Sequence, residues 1–223
     1  MYIITYIYFT YQPKGHKILL EREVINMNDK KIKDEELKVL EGKNVLLGVT
    51  GGIAAYKAAN IISILKKYGA NVNVIMTKSA TEIITPLTLR TLSKNLVVTE
   101  MFKDTDCFDV KHISLAQSSD IVIIAPATAN IIGKIANGIA DDMLSTTVMA
   151  TSAKVLIAPA MNTIMYKNPI VQKNIESLKN YGYKLINPKK GMLACGYEGE
   201  GKMEDPIVIV NEIAKALEGG ENE

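Results

Sequence analysis

Four short, nearly continuous apolar runs recur along the chain: Val45–Val49, Val72–Met76, Ile121–Ile124 and Val155–Ala158. A strand with one wet face alternates apolar and polar residues. Runs without that alternation predict parallel strands covered on both faces by helices. The intervening stretches agree. Ile53–Tyr68 carries alanine and isoleucine almost all round and meets Gly69, which predicts a buried helix closed by a glycine cap. Asp141–Ala150 and Asn168–Tyr181 predict two more helices, the second stopped at Gly182, and Pro206–Leu217 predicts a last one. Such alternation predicts an α/β fold: a single doubly wound parallel sheet in a three-layer sandwich, with ligands beyond the carboxyl ends of the strands.

A chain of 223 residues with 48% hydrophobic content can bury one sizeable core. One domain is expected over residues 43–218, after an N-terminal extension at 1–42 and before a tail at 219–223. A formal charge of +2, from 26 basic and 24 acidic residues, lacks the clustered positive charge that nucleic acid or an anionic membrane would require. The apolar, tyrosine-rich run Met1–Tyr11 is far shorter than the roughly 20 residues of a membrane span. It also lacks a basic leader and a cleavage site. Met27 offers an alternative start, so residues 1–26 are expected to be disordered or untranslated. With no secretory signature, Cys107 and Cys195 are expected to stay reduced, and the cytoplasm is the expected compartment.

Several segments carry chemistry. The first strand runs into Thr50-Gly51-Gly52 and then a helix beginning at Ile53, a turn that aims unpaired amides at an anion, most naturally a phosphate. Thr77-Lys78-Ser79 follows the second strand and reads equally well as a helix cap or a ligand contact. Strand four ends in Pro126-Ala-Thr128-Ala129-Asn130-Ile131, whose small polar side chains could reach a planar polar ring or a ribityl chain. Asn137-Gly138 and Asp141-Asp142 read as a turn and a helix N-cap. His112 precedes a short helix beginning near Ile113 and reads either as a base or as a partly exposed capping residue; His16 is assigned nothing. Pro159-Ala160-Met-Asn162-Thr-Ile-Met165-Tyr166 places an amide, suited to hold a carboxylate, between two thioethers that read as core filler or ligand contacts. Last comes Gly191-Met-Leu-Ala194-Cys195-Gly-Tyr-Glu-Gly199-Glu-Gly201-Lys-Met203, a glycine-rich flap with a thiol. With a pKa near 8.5 an unperturbed thiol is mostly protonated at neutral pH, which suits an acid better than a nucleophile.

In this order the motifs resemble the homo-oligomeric flavin-containing cysteine decarboxylases, and among them most the branch acting on phosphopantothenoylcysteine in coenzyme A biosynthesis. The likeness covers roughly Lys43 to Leu217. It implies a flavodoxin-like or Rossmann-like fold, bound FMN, no nicotinamide, no metal, and a homotrimer or dodecamer with sites shared between subunits. In the implied route the substrate thiol is oxidised to a thioaldehyde, whose C=S group eases loss of carbon dioxide; the resulting enethiol is then reduced to the saturated thiol, without net redox change. By resemblance His112 would be the base, Asn162 the carboxylate's partner and Cys195 the proton donor, with Met165 and Ala194 beside the substrate. Gly51, Gly52, Ile53, Thr77 and Ser79 would surround the FMN phosphate; Thr128, Ala129, Asn130, Ile131 and Ala160 would border the rest.

There are departures. The family commonly has tryptophan where this chain has Tyr166, and serine and threonine where it has Thr128 and Ile131, which touches affinity more than reaction type. A phosphopantothenoylcysteine synthetase commonly follows this domain; a chain stopping at Glu223 is expected to lack that ligase activity, the synthetase being a possible separate partner. Other activities on the same scaffold are a peptide cysteine decarboxylase releasing the enethiol, a flavin prenyltransferase and a non-catalytic regulatory subunit. Cys195 argues against the first, the cysteine flap and the Pro159-Ala-Met-Asn162 segment against the second, and the combination of His112, Asn162 and Cys195 against the third.

Overall fold

The computed structural model of the chain describes residues 35–102, 110–192 and 198–219. All of these lie in one compact unit, residues 32–223; a separate unit, residues 1–31, lies outside the described residues, and with it the expectation for residues 1–26.

Six parallel strands form the central sheet: β1 (Asn44–Val49), β2 (Asn71–Met76), β3 (Val97–Val98), β4 (Ile121–Ala127), β5 (Lys154–Pro159) and β6 (Lys184–Leu185). A 3-10 turn (Ile53–Lys57) and α1 (Ala58–Lys67) follow β1; α2 (Lys78–Thr81) and α3 (Pro86–Ser93) follow β2; α4 (Lys111–Ser118) leads into β4. Between β4 and β5 lie α5 (Ala129–Ala136) and α6 (Met143–Ala150), and after β5 come α7 (Thr163–Tyr166) and α8 (Pro169–Asn180). An antiparallel hairpin, β7 (Lys189–Met192) with β8 (Glu198–Lys202), precedes α9 (Pro206–Glu218). The strand order β3-β2-β1-β4-β5-β6 confirms the doubly wound α/β fold and reverses its winding between β1 and β4. The carboxyl ends of those two strands therefore flank the crevice where such folds bind ligands.

The apolar runs do what their composition requires. All seven residues of β4 are buried, and period-2 alternation divides the strands between two cores. Val45, Leu47, Val49, Ile121 and Ile123 join one core with α1, α9 and the 3-10 turn Lys38–Leu40. Leu46, Val122 and Ile124 face the other, beneath α4, α5, α6 and α8. Each fully buried Leu, Ile or Val contributes about 1.5–3 kcal/mol relative to exposure, so both faces are needed. Leu37 and Leu40 are buried in the first core, so packing begins before the boundary expected at residue 43.

Two expectations need correction. Ile53–Tyr68 is not one buried helix: its first five residues form the 3-10 turn, with Ile53 64% and Tyr56 56% exposed, and only α1 is regular. Gly69 does close it, at φ +81. The helix expected from Ile113 starts at Lys111, placing His112 within its first turn. The reading of Asp141-Asp142 and Asn137-Gly138 as structural holds. Gly138 sits at φ +68, Asp142 caps α6 by accepting from the Ser145 N–H at 2.9 Å, and Lys134 Nζ contacts Asp141 and Asp142 at 2.6 and 2.7 Å. Among the described residues no helix is long and apolar enough to cross a membrane.

Candidate active site

The crevice is built around Thr50. Its buried hydroxyl donates to the Pro126 carbonyl at 2.7 Å and accepts from the Thr128 N–H at 3.1 Å, locking the ends of β1 and β4 together. Gly51 follows in space too narrow for a side chain, and Gly52 in ordinary contact with its neighbours. A Cβ at Gly51 would overlap Ser79, and one at Gly52 would lie 3.4 Å from Thr128 Cγ2 and 3.7 Å from the Ala160 carbonyl oxygen. The glycine turn is thus pressed between the loops after β2, β4 and β5, the three places where the sequence located polar contacts.

Thr77 decides between its two readings. It stands before α2, yet makes no side-chain cap, and its buried Oγ1 has no hydrogen-bond partner among the described residues. Leaving a buried hydroxyl unmade costs about 1–3 kcal/mol, so a ligand oxygen is the natural complement. With Gly51 against Ser79 and backbone amides entering the 3-10 turn, this end of the crevice fits a phosphate monoester such as that of FMN. Thr128 is bound differently. It caps α5 by accepting from the Ile131 N–H at 3.5 Å, and Ile131 is buried in the second core. Ala129 and Asn130 open α5 at the rim. Of these four, Ile131 is committed to the core, whereas Thr128, Ala129 and Asn130 stay outside it.

After β5 the chain is clamped. The Ala160 N–H donates to the Ala127 carbonyl at 2.9 Å and the Met161 N–H to the Gly201 carbonyl at 3.0 Å. Gly201 adopts φ +130, and a Cβ there would overlap the Met161 carbonyl oxygen; one at Gly199 would overlap Thr163. These glycines let β8 lie directly on the β5–α7 loop. Asn162 caps α7, its Oδ1 accepting from the Ile164 N–H at 2.8 Å, so the donor face of its amide is Nδ2. Thr163 Oγ1 is buried without a hydrogen-bond partner among the described residues, and Met165 is half exposed.

Between the 3-10 turn, the β5–α7 loop and the hairpin lies a cleft of about 500 Å3, lined by Gly52, Ile53, Ala160 and Asn162 among the residues expected to act. Sequence reading missed Tyr56, Lys57, Met192 and Lys202, which line it too. Only Lys57's position one turn beyond the glycine pair, and Lys202's place within the glycine-rich flap, could have signalled them. Lys57 Nζ donates to the Met203 carbonyl at 3.3 Å. Burial holds its pKa below the usual lysine range, helped by the positive charges of Lys189 and Lys202 and opposed by Asp205 and Glu204.

Two expected participants stand apart. His112 is half-buried on α4, whose Leu115 packs on the second core, and it is not among the residues that line the cleft. Ala194 and Cys195 lie outside the described residues, between β7 and β8, whose ends border the cleft through Met192 and Lys202.

Comparison with known proteins gives this geometry a family. Over 172 residues the chain is 53% identical to the coenzyme A biosynthesis bifunctional protein CoaBC of Bacillus subtilis (strain 168), covering 77% of this chain and 42% of that one. Over 177 residues it is 46% identical to a probable phosphopantothenoylcysteine decarboxylase of Streptococcus mutans, covering 78% of this chain and 99% of that one. It thus spans less than half the length of the bifunctional relatives, 42% and 45% for two of them. Among solved structures, a PPC decarboxylase mutant complexed with pantothenoylaminoethenethiol superposes with a TM-score of 0.73 at 32% identity, over 80% of this chain and all of that one. The FMN-dependent cysteine decarboxylase SpaF superposes at 0.72 and 30% identity, over 81% of this chain and 98% of that one. Residues 33–218 match the Flavoprotein family, and with the switch-point crevice and the glycine turn already described, the chain belongs to that family.

Proposed function

We propose that this chain is an FMN-dependent decarboxylase converting phosphopantothenoylcysteine to phosphopantetheine in coenzyme A biosynthesis. The observation that carries the reading is the pairing of a phosphate-fitting turn, with its unpartnered Thr77 hydroxyl, and an adjoining cleft that presents the Asn162 amide. The names of the relatives at 46% and 53% identity support it.

FMN, when bound, supplies a reversible two-electron acceptor, the electron sink that direct loss of carbon dioxide from a cysteine carboxylate lacks. Gly51, Gly52, Ile53, Thr77 and Ser79 hold its phosphate, while Ala129, Asn130 and Ala160 border the remainder. Asn162 orients the substrate carboxylate through its amide nitrogen; because Oδ1 is already committed to the Ile164 N–H, that orientation is fixed before substrate arrives. Ile53, Met161 and Met192 make the cleft largely apolar, which strips water from the carboxylate and favours its departure as neutral carbon dioxide. His112 takes the proton released as the thioaldehyde forms, and Cys195 returns one when the enethiol is reduced.

Since His112 is not among the residues that line the cleft, we further propose that a second copy supplies it, in a homotrimer or dodecamer. The exposed Val110, Ile113 and Met149 on and beside α4 and α6 offer an apolar face for that contact. A phosphopantothenoylcysteine synthetase, fused or separate, is the expected partner in the pathway, and the cytoplasm the expected compartment. Mass spectrometry of the products formed by the flavin-loaded chain from phosphopantothenoylcysteine tests the activity. Phosphopantetheine is expected; unchanged substrate beside bound flavin overturns it, and accumulated enethiol favours the peptide-decarboxylase type.

A further inference from the structure

Among the described residues the cleft is lined by two amines and no carboxylate. Lys57 enters from the 3-10 turn and Lys202 from the end of β8, while the other lining residues are glycine, alanine, isoleucine, methionine, tyrosine and Asn162. The neighbouring Lys189 is already matched: it contacts Asp205 at 2.5 Å and Glu204 at 3.9 Å. Lys202 has no ion-pair partner among the described residues, and its side chain lies over Gly191, where a Cβ would come within 3.6 Å of Nζ. The contact of Lys57 Nζ is to a neutral carbonyl, that of Met203. Two amines therefore share a part-buried cleft that no carboxylate lines among the described residues, Asp205 and Glu204 acting on Lys57 from outside it. Burial is the main reason the Lys57 pKa lies below the usual lysine range, with Lys189 and Lys202 adding to it, and an anion in the cleft would offset both.

Resting on the decarboxylase reading, we propose that Lys57 and Lys202 form the subsite for the terminal phosphate of the substrate and so select the phosphorylated compound over its unphosphorylated counterpart. The flavin phosphate already has a place of its own at Thr77, Ser79 and the glycine turn, and the substrate carboxylate has Asn162. The phosphate is the remaining anion. Lysine suits it as a compact charge donating up to three hydrogen bonds without demanding bidentate geometry.

The test measures affinity separately from turnover. Calorimetry on the flavin-loaded protein compares binding of 4'-phosphopantetheine with that of pantetheine for the wild type, Lys57→Met, Lys202→Met and, as a charge control, Lys190→Met on the exposed side of β7. The wild type should prefer the phosphorylated compound, each cleft variant should lose roughly ten- to hundredfold of that preference, and the control should keep it. A preference unchanged in both cleft variants overturns the proposal, as does a wild type with no preference. A parallel absorbance titration with FMN guards the assignment: if the cleft variants chiefly weaken FMN binding, the amines serve the flavin and the proposal fails. If the protein shows the lysine-dependent preference but does not convert phosphopantothenoylcysteine, the decarboxylase reading fails while the subsite stands.

Discussion

Two strand ends in this molecule begin alike and finish differently. After β4 the chain reads Pro126-Ala-Thr128-Ala-Asn130, and after β5 Pro159-Ala-Met-Asn162-Thr163; both put small polar side chains at the carboxyl edge of the sheet. At β4 the polarity is spent internally. Thr128 caps α5, receives its neighbours through Thr50, and leads into a helix with a strongly apolar inner face of Ile131, Ile132 and Ile135. At β5 the cap starts only a four-residue helix, Thr163 Oγ1 is buried without a hydrogen-bond partner among the described residues, and Ile164 is 81% exposed. Satisfied polar groups at a strand end mark a joint. Unsatisfied ones beside exposed apolar surface mark a place waiting for ligand or partner.

The largest expected effect falls on the β5 side. Asn162→Ala removes the carboxylate's donor and should lower kcat/KM for phosphopantothenoylcysteine about a hundredfold or more. The same change loses a helix cap, which costs only about 1 kcal/mol, or roughly 2–4 °C in Tm. Steady-state kinetics beside a thermal melt checks both; a variant that melts much earlier yet turns over normally would make Asn162 a joint like Thr128. Thr50→Val reverses the expectation. Its hydroxyl serves the Pro126 carbonyl and the Thr128 N–H in a buried setting, so losing it should cost about 2 kcal/mol, roughly 4–8 °C in Tm. Turnover per folded molecule should fall far less than for Asn162→Ala. The opposite pattern would move function to the β4 end and erase the contrast.

Which parts of this were legible in the sequence follows from the range of the forces involved. The four long strands were readable because a strand buried on both faces has only apolar residues to show, and α8 because Asn168, Pro169 and Gly182 punctuate it locally. β3 and β6, two residues each, carry too few side chains for a pattern. The hairpin of Lys, Gly and Glu has no apolar alternation at all; it exists because Gly199 and Gly201 permit contact with the β5–α7 loop, a relation between segments some 40 residues apart. The site divides the same way. Gly51, Gly52 and Asn162 were legible from local turn and cap chemistry, whereas Lys57 and Lys202 become a pair only when β8 folds over the 3-10 turn.

The smallest effect concerns the corner beyond β4, where Asp142 extends the same self-contained character. Its carboxylate caps α6 and contacts Lys134 Nζ at 2.7 Å. Burial alone would raise its pKa, but hydrogen bonds from Lys134 and from the Ser145 backbone and hydroxyl outweigh that and hold it below its ordinary 3.8. A carboxyl depressed on folding adds stability at pH values above its unfolded pKa and loses it as pH falls through the folded one. For Lys134 burial lowers the pKa while hydrogen bonds with Asp141 and Asp142 raise it above 10.5, so its share is complete below that value and disappears as pH climbs through the raised one. Asp142→Asn keeps a side chain that caps nearly as well and removes only the charge. The expected loss at neutral pH is therefore modest, about 0.5–1 kcal/mol for a pair that remains partly in contact with solvent. Denaturant unfolding should show that gap constant through neutrality, closing below about pH 4 as the wild-type carboxyl protonates. A gap that persisted in acid would mean the residue acts through its shape and cap alone, and the β4 corner would then be held by packing rather than by its ion pairs.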